Sequence, residues 1–326
     1  MKNNNDYNKI YCIFQIMFNA TTSDLRYFDG TGSYMTLEHV EYYSNLIYLK
    51  LSHCNIKEAK KLNFRDLMFL DLSHNDIQHL EADFFSSLLI LQELYLGHNP
   101  LVQFDVILNQ SISTLTSNLY KLDMVGIDLA GDKLERLLSN RNIEIRILNI
   151  SMSKTRSSIA SFSNMPNIEV LDMRGVEIET FPPDVFRGLR KLEEVYVDNA
   201  KLCCPQLLPD HPKHCYTSPD EISSCENLLR ANLYRVCLWF FSLAAVIGNA
   251  TSFFFRLLSY TKSSKTGFSL LVINLSVSDL LMGLYLALIG GADQVYTGTY
   301  LYNDLTWRTS KVCQVRQPGV HRDLPV

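Results

Sequence analysis

DLMFLDLSHNDI, residues 66–77, and LQELYLGHNPL, residues 91–101, share one spacing. The apolar and asparagine positions are Leu67, Leu70, Leu72, Asn75 and Ile77 in the first, and Leu91, Leu94, Leu96, Asn99 and Leu101 in the second. NLIYLKLSHCNI, residues 45–56, repeats it with Leu46, Leu49, Leu51 and Cys54. Weaker copies start at Leu119, Ile145, Ile168 and Leu192, and a degenerate one at Leu25. Successive starts lie 21, 21, 24, 28, 26, 23 and 24 residues apart. A unit of this length cannot bury its apolar face alone, so the copies must stack on one another.

The spacing is that of the leucine-rich repeat. It predicts an α/β leucine-rich-repeat solenoid over residues 25–202, with short parallel strands lining a concave face and paired leucines pointing inward. The asparagine of each unit hydrogen-bonds backbone as the chain turns away. Ile127, Ser153, Val176 and Ala200 stand at that position in later units, so a regular asparagine ladder is expected only in the early ones. Residues between the leucines face off the sheet, where solenoids bind partners. At mid-strand they read Lys50, Asp71, Tyr95, Asp123, Asn149, Asp172 and Tyr196, with Glu93, Glu169, Glu193, Glu194 and Asp198 beside them. From this acidic strip we single out Asp71, Glu93, Tyr95, Asp123, Asp172, Glu194 and Tyr196 as a site for a basic peptide. The alternative is a solvated polar face without a partner.

Charge divides the chain. The whole carries a net charge of −4, with 30 basic and 34 acidic residues, which argues against a nucleic-acid partner. Residues 236–292 hold four charged groups: Arg256, Lys262, Lys265 and Asp279. Two spans of a membrane follow, at about 236–255 and 266–292, each long enough to cross the hydrocarbon core. A buried core helix is the rival reading. The link between them carries only basic charge, so it is predicted cytoplasmic and both flanks external. An ionisable group within a span is costly and marks function by default, which singles out Asp279, although packing against a neighbouring helix is the plainer explanation.

Cysteines cluster where a solenoid needs a cap. Cys203, Cys204, Cys215 and Cys225 fall between the last repeat and the first span. Disulfides are expected on an external face, with three pairings open and the adjacent Cys203 and Cys204 reaching different partners. Zinc is the rival, given His211 and His214, but the cluster lacks a CxxC knuckle. Asn19, Asn109 and Asn149 open N-x-S/T sequons, candidate glycan sites on an external domain. Residues 1–24 include an apolar run, Ile10–Phe18, that reads as a weak signal peptide or as the interior of a longer ectodomain.

Repeats, cysteine cap, then SSCENLLRANLYRVCLWFFSLAAVIGN resemble the hinge and first helix of leucine-rich-repeat-containing G-protein-coupled receptors. EISSCENLL, NLSVSDLLMGLYL, ADQVYTGTY and NDLTWRTSKVC are most similar to the relaxin-receptor branch and its invertebrate relatives. The resemblance covers roughly residues 25–315 and implies a cap and hinge at 203–234 and part of a rhodopsin-type seven-helix domain at 235–313. It implies that Asn249, Asn274 and Asp279 belong to an intramembrane polar network, with a sodium ion at Asp279 in a complete receptor and no other cofactor. It implies that Trp307 lies in the first external loop and that Cys313 opens helix three, its partner loop missing. A low-density-lipoprotein class A module, expected ahead of the repeats, is not found. After Cys313 the pattern breaks into an atypical tail, 314–326, as if truncated after the second span.

The expected function is a receptor for a peptide or protein hormone with basic residues, multi-pass in the plasma membrane with its repeats outside. Lipid is its surroundings, and a heterotrimeric G protein is a partner only of a full-length form. A chain of these residues is expected to be signalling-incompetent, with retention in the endoplasmic reticulum as its other location. The alternative is a membrane-tethered leucine-rich-repeat binding, adhesion or decoy protein. An enzyme is not expected: there is no phosphate loop or GxSxG, and His53, His74 and His98 recur at the repeat period rather than forming a catalytic set.

Overall fold

The strands are short because each needs to bury only one residue. Leu49, Leu70, Leu148 and Leu171 occupy the middle of theirs with no exposed surface, while the residues on either side face outward. In the computed structural model, residues 25–102 (except 82), 118–155 (except 131, 132 and 135–143), 161–208 (except 163 and 179), 214–260 and 266–313 (except 312) are described. Asn19, Asn109, His211, Lys262, Lys265 and the segments 1–24 and 314–326 lie outside them.

Nine strands form one parallel sheet in chain order: β1 (Tyr27–Asp29), β2 (Tyr48–Lys50), β4 (Phe69–Asp71), β6 (Glu93–Tyr95), β7 (Lys121–Asp123), β8 (Ile147–Asn149), β9 (Val170–Asp172), β10 (Glu194–Tyr196) and β11 (His214–Tyr216). β3 (Glu58–Ala59) and β5 (His79–Leu80) pair separately on the return side of the repeats, and a four-residue helix, α1 (Leu37–Val40), joins β1 to β2. Register is constant from strand to strand, so equivalent residues of every repeat form rows across the sheet. The degenerate copy at Leu25 is a true first strand.

Side chains at the asparagine position hold neighbouring repeats together. Asn75 Oδ1 accepts the Cys54 and Ile56 N–H groups at 2.9 and 3.0 Å, and its Nδ2 donates to Leu51 and Leu72 carbonyls. Asn99 repeats the arrangement one unit on. Cys54 Sγ and Ser153 Oγ each reach back to one carbonyl of the preceding repeat, at 3.1 and 3.0 Å, whereas Ile127 and Val176 only fill space. The ladder thus thins where the sequence loses its asparagines.

The residue just before that position adopts positive φ in repeat after repeat: Gly32, His53, His74, His98, Gly126, Met152 and Gly175. This explains the periodic histidines. They mark the left-handed turn out of each strand, and their rings stack, with centroids 4.2 Å apart from His53 to His74 and from His74 to His98.

The cap extends the sheet. A 3-10 turn, Ala200–Cys203, is joined to β11 by the Cys203–Cys215 disulfide. Cys204 and Cys225 are disulfide-bonded too, so the adjacent cysteines do not share a partner. Oxidised, these sulfurs are not thiolate ligands for zinc.

Two compact units divide at Ser218/Pro219, inside the predicted 203–234 hinge. In the second, α2 (Asn232–Tyr260) and α3 (Thr266–Tyr296) run past the predicted span limits, followed by α4 (Tyr300–Thr309). Asn232–Leu258 and Ser269–Tyr296 are long and apolar enough to cross a membrane, with only 6% and 11% buried. Small residues let these helices meet: Ser242 Oγ donates to the Gly283 carbonyl at 2.9 Å, and Gly290 lies against Leu238 and Trp239.

Candidate functional site

Constant register builds the outer face of the sheet as two rows. One begins Tyr27, Tyr48, Phe69 and continues Glu93, Lys121. The other runs Asp29, Lys50, Asp71, Tyr95, Asp123 and on to Asn149, Asp172 and Tyr196. All seven predicted ligand residues therefore lie on one face.

What the linear sequence conceals is that this acidic strip is compensated from within. Lys50 Nζ lies 3.7 Å from Asp71, and Lys121 Nζ 3.8 Å from Glu93. Arg174 binds Asp172 through Nη2 at 2.6 Å and sits over the Tyr196 ring. Asp123 accepts Asn149 Nδ2 at 2.9 Å, and Glu194 accepts the Tyr196 hydroxyl at 2.9 Å. Asn149, a predicted sequon, thus has its amide engaged on the sheet, where its Oδ1 also accepts the Ser151 N–H.

Glu93 is the centre of this network. It accepts Tyr120 and Tyr95 hydroxyls at 2.5 and 2.7 Å. Burial pushes its carboxyl up, but those two hydrogen bonds and Lys121 outweigh burial and hold it below the ordinary carboxylate range. Tyr95 is driven far up, by burial first and then by its bond to Glu93. Burial raises Asp123 despite the Val125 N–H and Asn149 that favour its charge.

Sequence reasoning missed the aromatic row. Tyr27, Tyr48, Phe69 and Tyr95 make a continuous series, with ring centroids 6.0, 4.2 and 5.2 Å apart and the Tyr48–Phe69 pair stacked. Tyr27 is 69% exposed. The available signal was an aromatic two residues ahead of Asp29, Lys50 and Asp71.

The predicted intramembrane set is not drawn together by α2 and α3. Asn249 Nδ2 caps the Ala245 carbonyl of its own helix, and Asn274 and Asp279 are exposed on α3. The polar contact at this depth is Ser276 to Ser252, at 3.3 Å. Cys313 is a free thiol packed against the cluster that contains Trp307. Among the described residues, no group of three His, Cys, Asp or Glu is arranged to hold a metal ion.

Residues 44–101 match the family described as Leucine rich repeat. The chain is 38% identical over 130 residues to the G-protein coupled receptor GRL101 of Lymnaea stagnalis, covering 40% of this chain and 11% of that protein. It is 28% identical over 186 residues to the human lutropin-choriogonadotropic hormone receptor, covering 54% and 26%. Against human relaxin receptor 1 it is 35% identical over 105 residues, covering 32% and 14%. Among solved structures, human 5T4 (trophoblast glycoprotein) aligns with a TM-score of 0.39 at 22% identity, over 48% of this chain and 61% of that one. The fold and site therefore define a leucine-rich-repeat protein with membrane-length helices. Within that class the chain is a relative of leucine-rich-repeat-containing G-protein-coupled receptors, proteins that are receptors rather than enzymes. It spans about a quarter or less of the length of these three relatives.

Proposed function

We propose that the chain carries the ligand-capturing ectodomain of a plasma-membrane G-protein-coupled receptor for a peptide or protein hormone, and that the outer face of its sheet is the capture surface. The observation that carries this reading is the pairing of an aromatic row with carboxylates already held in position by resident cations. Tyr27, Tyr48 and Phe69 offer rings to apolar side chains of the ligand. Asp71, Glu93 and Asp172 are pre-oriented, and an arginine of the ligand replaces Lys50, Lys121 or Arg174 as their partner. Preorganised carboxylates suit the planar guanidinium, which binds them through two parallel hydrogen bonds. Two of the relatives are named for hormones, lutropin-choriogonadotropin and relaxin.

The test is saturation binding of basic peptide hormones, relaxin among them, to cells displaying residues 1–326. Glu93→Gln and Asp172→Asn should each weaken binding about tenfold, the worth of a charge-assisted contact. Lys121→Ala should tighten it by freeing Glu93. Binding without a second-messenger response is expected of these 326 residues alone, because G-protein contact is a property of further helices. Binding indifferent to all three substitutions and to Tyr48→Ala sinks the assignment of this face.

A further inference from the structure

Three imidazole rings stand in a column on the left-handed turns that leave β2, β4 and β6. His53, His74 and His98 stack with centroids 4.2 Å apart at each step and planes 11° and 20° from parallel. Gly32 and Gly126 hold the equivalent position in the repeats on either side, so the column is three rings long. Positive φ alone does not call for histidine here, since asparagine and glycine enter that region at least as readily. The backbone N–H groups of the three histidines donate one repeat onward, to the Ser73, Gly97 and Val125 carbonyls at 3.2, 2.8 and 2.6 Å.

The column backs onto the acidic strip. Asp71 Oδ1 accepts the N–H and the hydroxyl of Ser73, the residue next to His74, at 2.9 and 2.6 Å. Asp123 Oδ1 accepts the Val125 N–H at 3.3 Å, and a Cβ at Gly97, the residue next to His98, would stand 3.1 Å from the same oxygen. Burial disfavours a proton on His74 most, followed by His98 and His53 on the turns to either side. Asp71 and Asp123 favour that proton less strongly, so the middle ring titrates below the ordinary histidine range. Lys50 on β2 pairs with Asp71 at 3.7 Å.

We propose that the column of His53, His74 and His98 is a proton-driven release switch for the capture face, an inference that rests on that face binding a basic ligand. With His74 neutral, Asp71 and Asp123 are left to a cation of the ligand. In an acidified vesicle, protons on the column put imidazolium charge beside those carboxylates, where it competes with the ligand's arginine or lysine. Like charges one stacking step apart also push neighbouring turns away from each other. Linkage is reciprocal: a ligand cation on Asp71 makes His74 harder to protonate by the factor by which the proton weakens the ligand.

The experiment follows release of relaxin, bound at about pH 7.4 to the full 326-residue chain in phosphatidylcholine nanodiscs, after a step to about pH 5.5. Deuterium exchange at the imidazole C2 positions reads the titration of each ring alongside. The acid step should speed release about tenfold or more. His53→Asn, His74→Asn and His98→Asn together keep a residue suited to positive φ and should remove most of that acceleration, with the rate at about pH 7.4 unchanged. His74→Asn alone separates the two remaining rings by two steps and should give an intermediate acceleration, which keeps the test open if the triple variant misfolds. Bound relaxin should lower the His74 midpoint. Acceleration that survives in these variants, or a His74 midpoint indifferent to bound relaxin, overturns the switch and leaves capture standing. Absence of binding at about pH 7.4 overturns both.

Discussion

Asn75 joins its own repeat to the one before it through backbone groups of Cys54, Ile56, Leu51 and Leu72. Asn75→Ala leaves those buried groups unpaired and should cost about 2–4 kcal/mol, whereas Ser153→Ala, which loses one such bond, should cost about 1 kcal/mol. Thermal unfolding of the two variants side by side checks the ratio. Glu93 makes an acid-limb prediction. Its folded pKa lies below the ordinary value, so its stabilisation is fully present above the ordinary carboxylate range and is lost as pH falls through the lowered folded value. Glu93→Gln should flatten that part of the stability–pH curve, and Tyr120→Phe with Tyr95→Phe should shrink it. His74 behaves in the same sense at higher pH. Burial first, and then its neighbours His98 and His53, lower its pKa, so its contribution is present above the ordinary histidine range and is lost as pH falls through its lowered folded value.

At the scale of elements, the strands of the nine-stranded sheet from β1 to β10 were legible because each is placed by the repeat spacing, and burial of the mid-strand residue is all a three-residue strand requires; the two-residue β3 and β5 were not. β11 was not. HCY, residues 214–216, has no leucine, and what seats it beside β10 is the Cys203–Cys215 disulfide, whose pairing sequence alone leaves open. Cys203→Ser should cost about 3 kcal/mol and release β11 first, seen as selective loss of amide protection at Tyr216. The compensation of the acidic strip was equally hidden. Lys121 lies 28 residues after Glu93, and only the register of adjacent strands shows that the two meet. The helix pair was legible as apolar length, but its contact was not. A Cβ added at Gly283 would stand 2.9 Å from the Cβ of Ala245 and from a Val246 methyl. Gly283→Leu should therefore separate α2 from α3, and a disulfide engineered at Ser252 and Ser276, whose hydroxyls lie 3.3 Å apart, should form in the parent chain and fail in that variant.

At the scale of the molecule, an acidic repeat unit and an apolar helical unit divide the chain, and membrane insertion decides which side the sheet faces. On the proposed topology the basic sequence between the spans keeps the repeats outside. Disulfide bonding of Cys203, Cys204, Cys215 and Cys225 agrees with that compartment. Hormone capture requires that the two spans present the sheet to the exterior. Proteolysis of intact cells expressing the chain, with one epitope ahead of the repeats and another inserted between the spans, measures this directly. The first epitope should be lost and the second fully protected until the membrane is permeabilised. Protection of the repeats on intact surface-expressing cells, or cleavage at the link before permeabilisation, would contradict it.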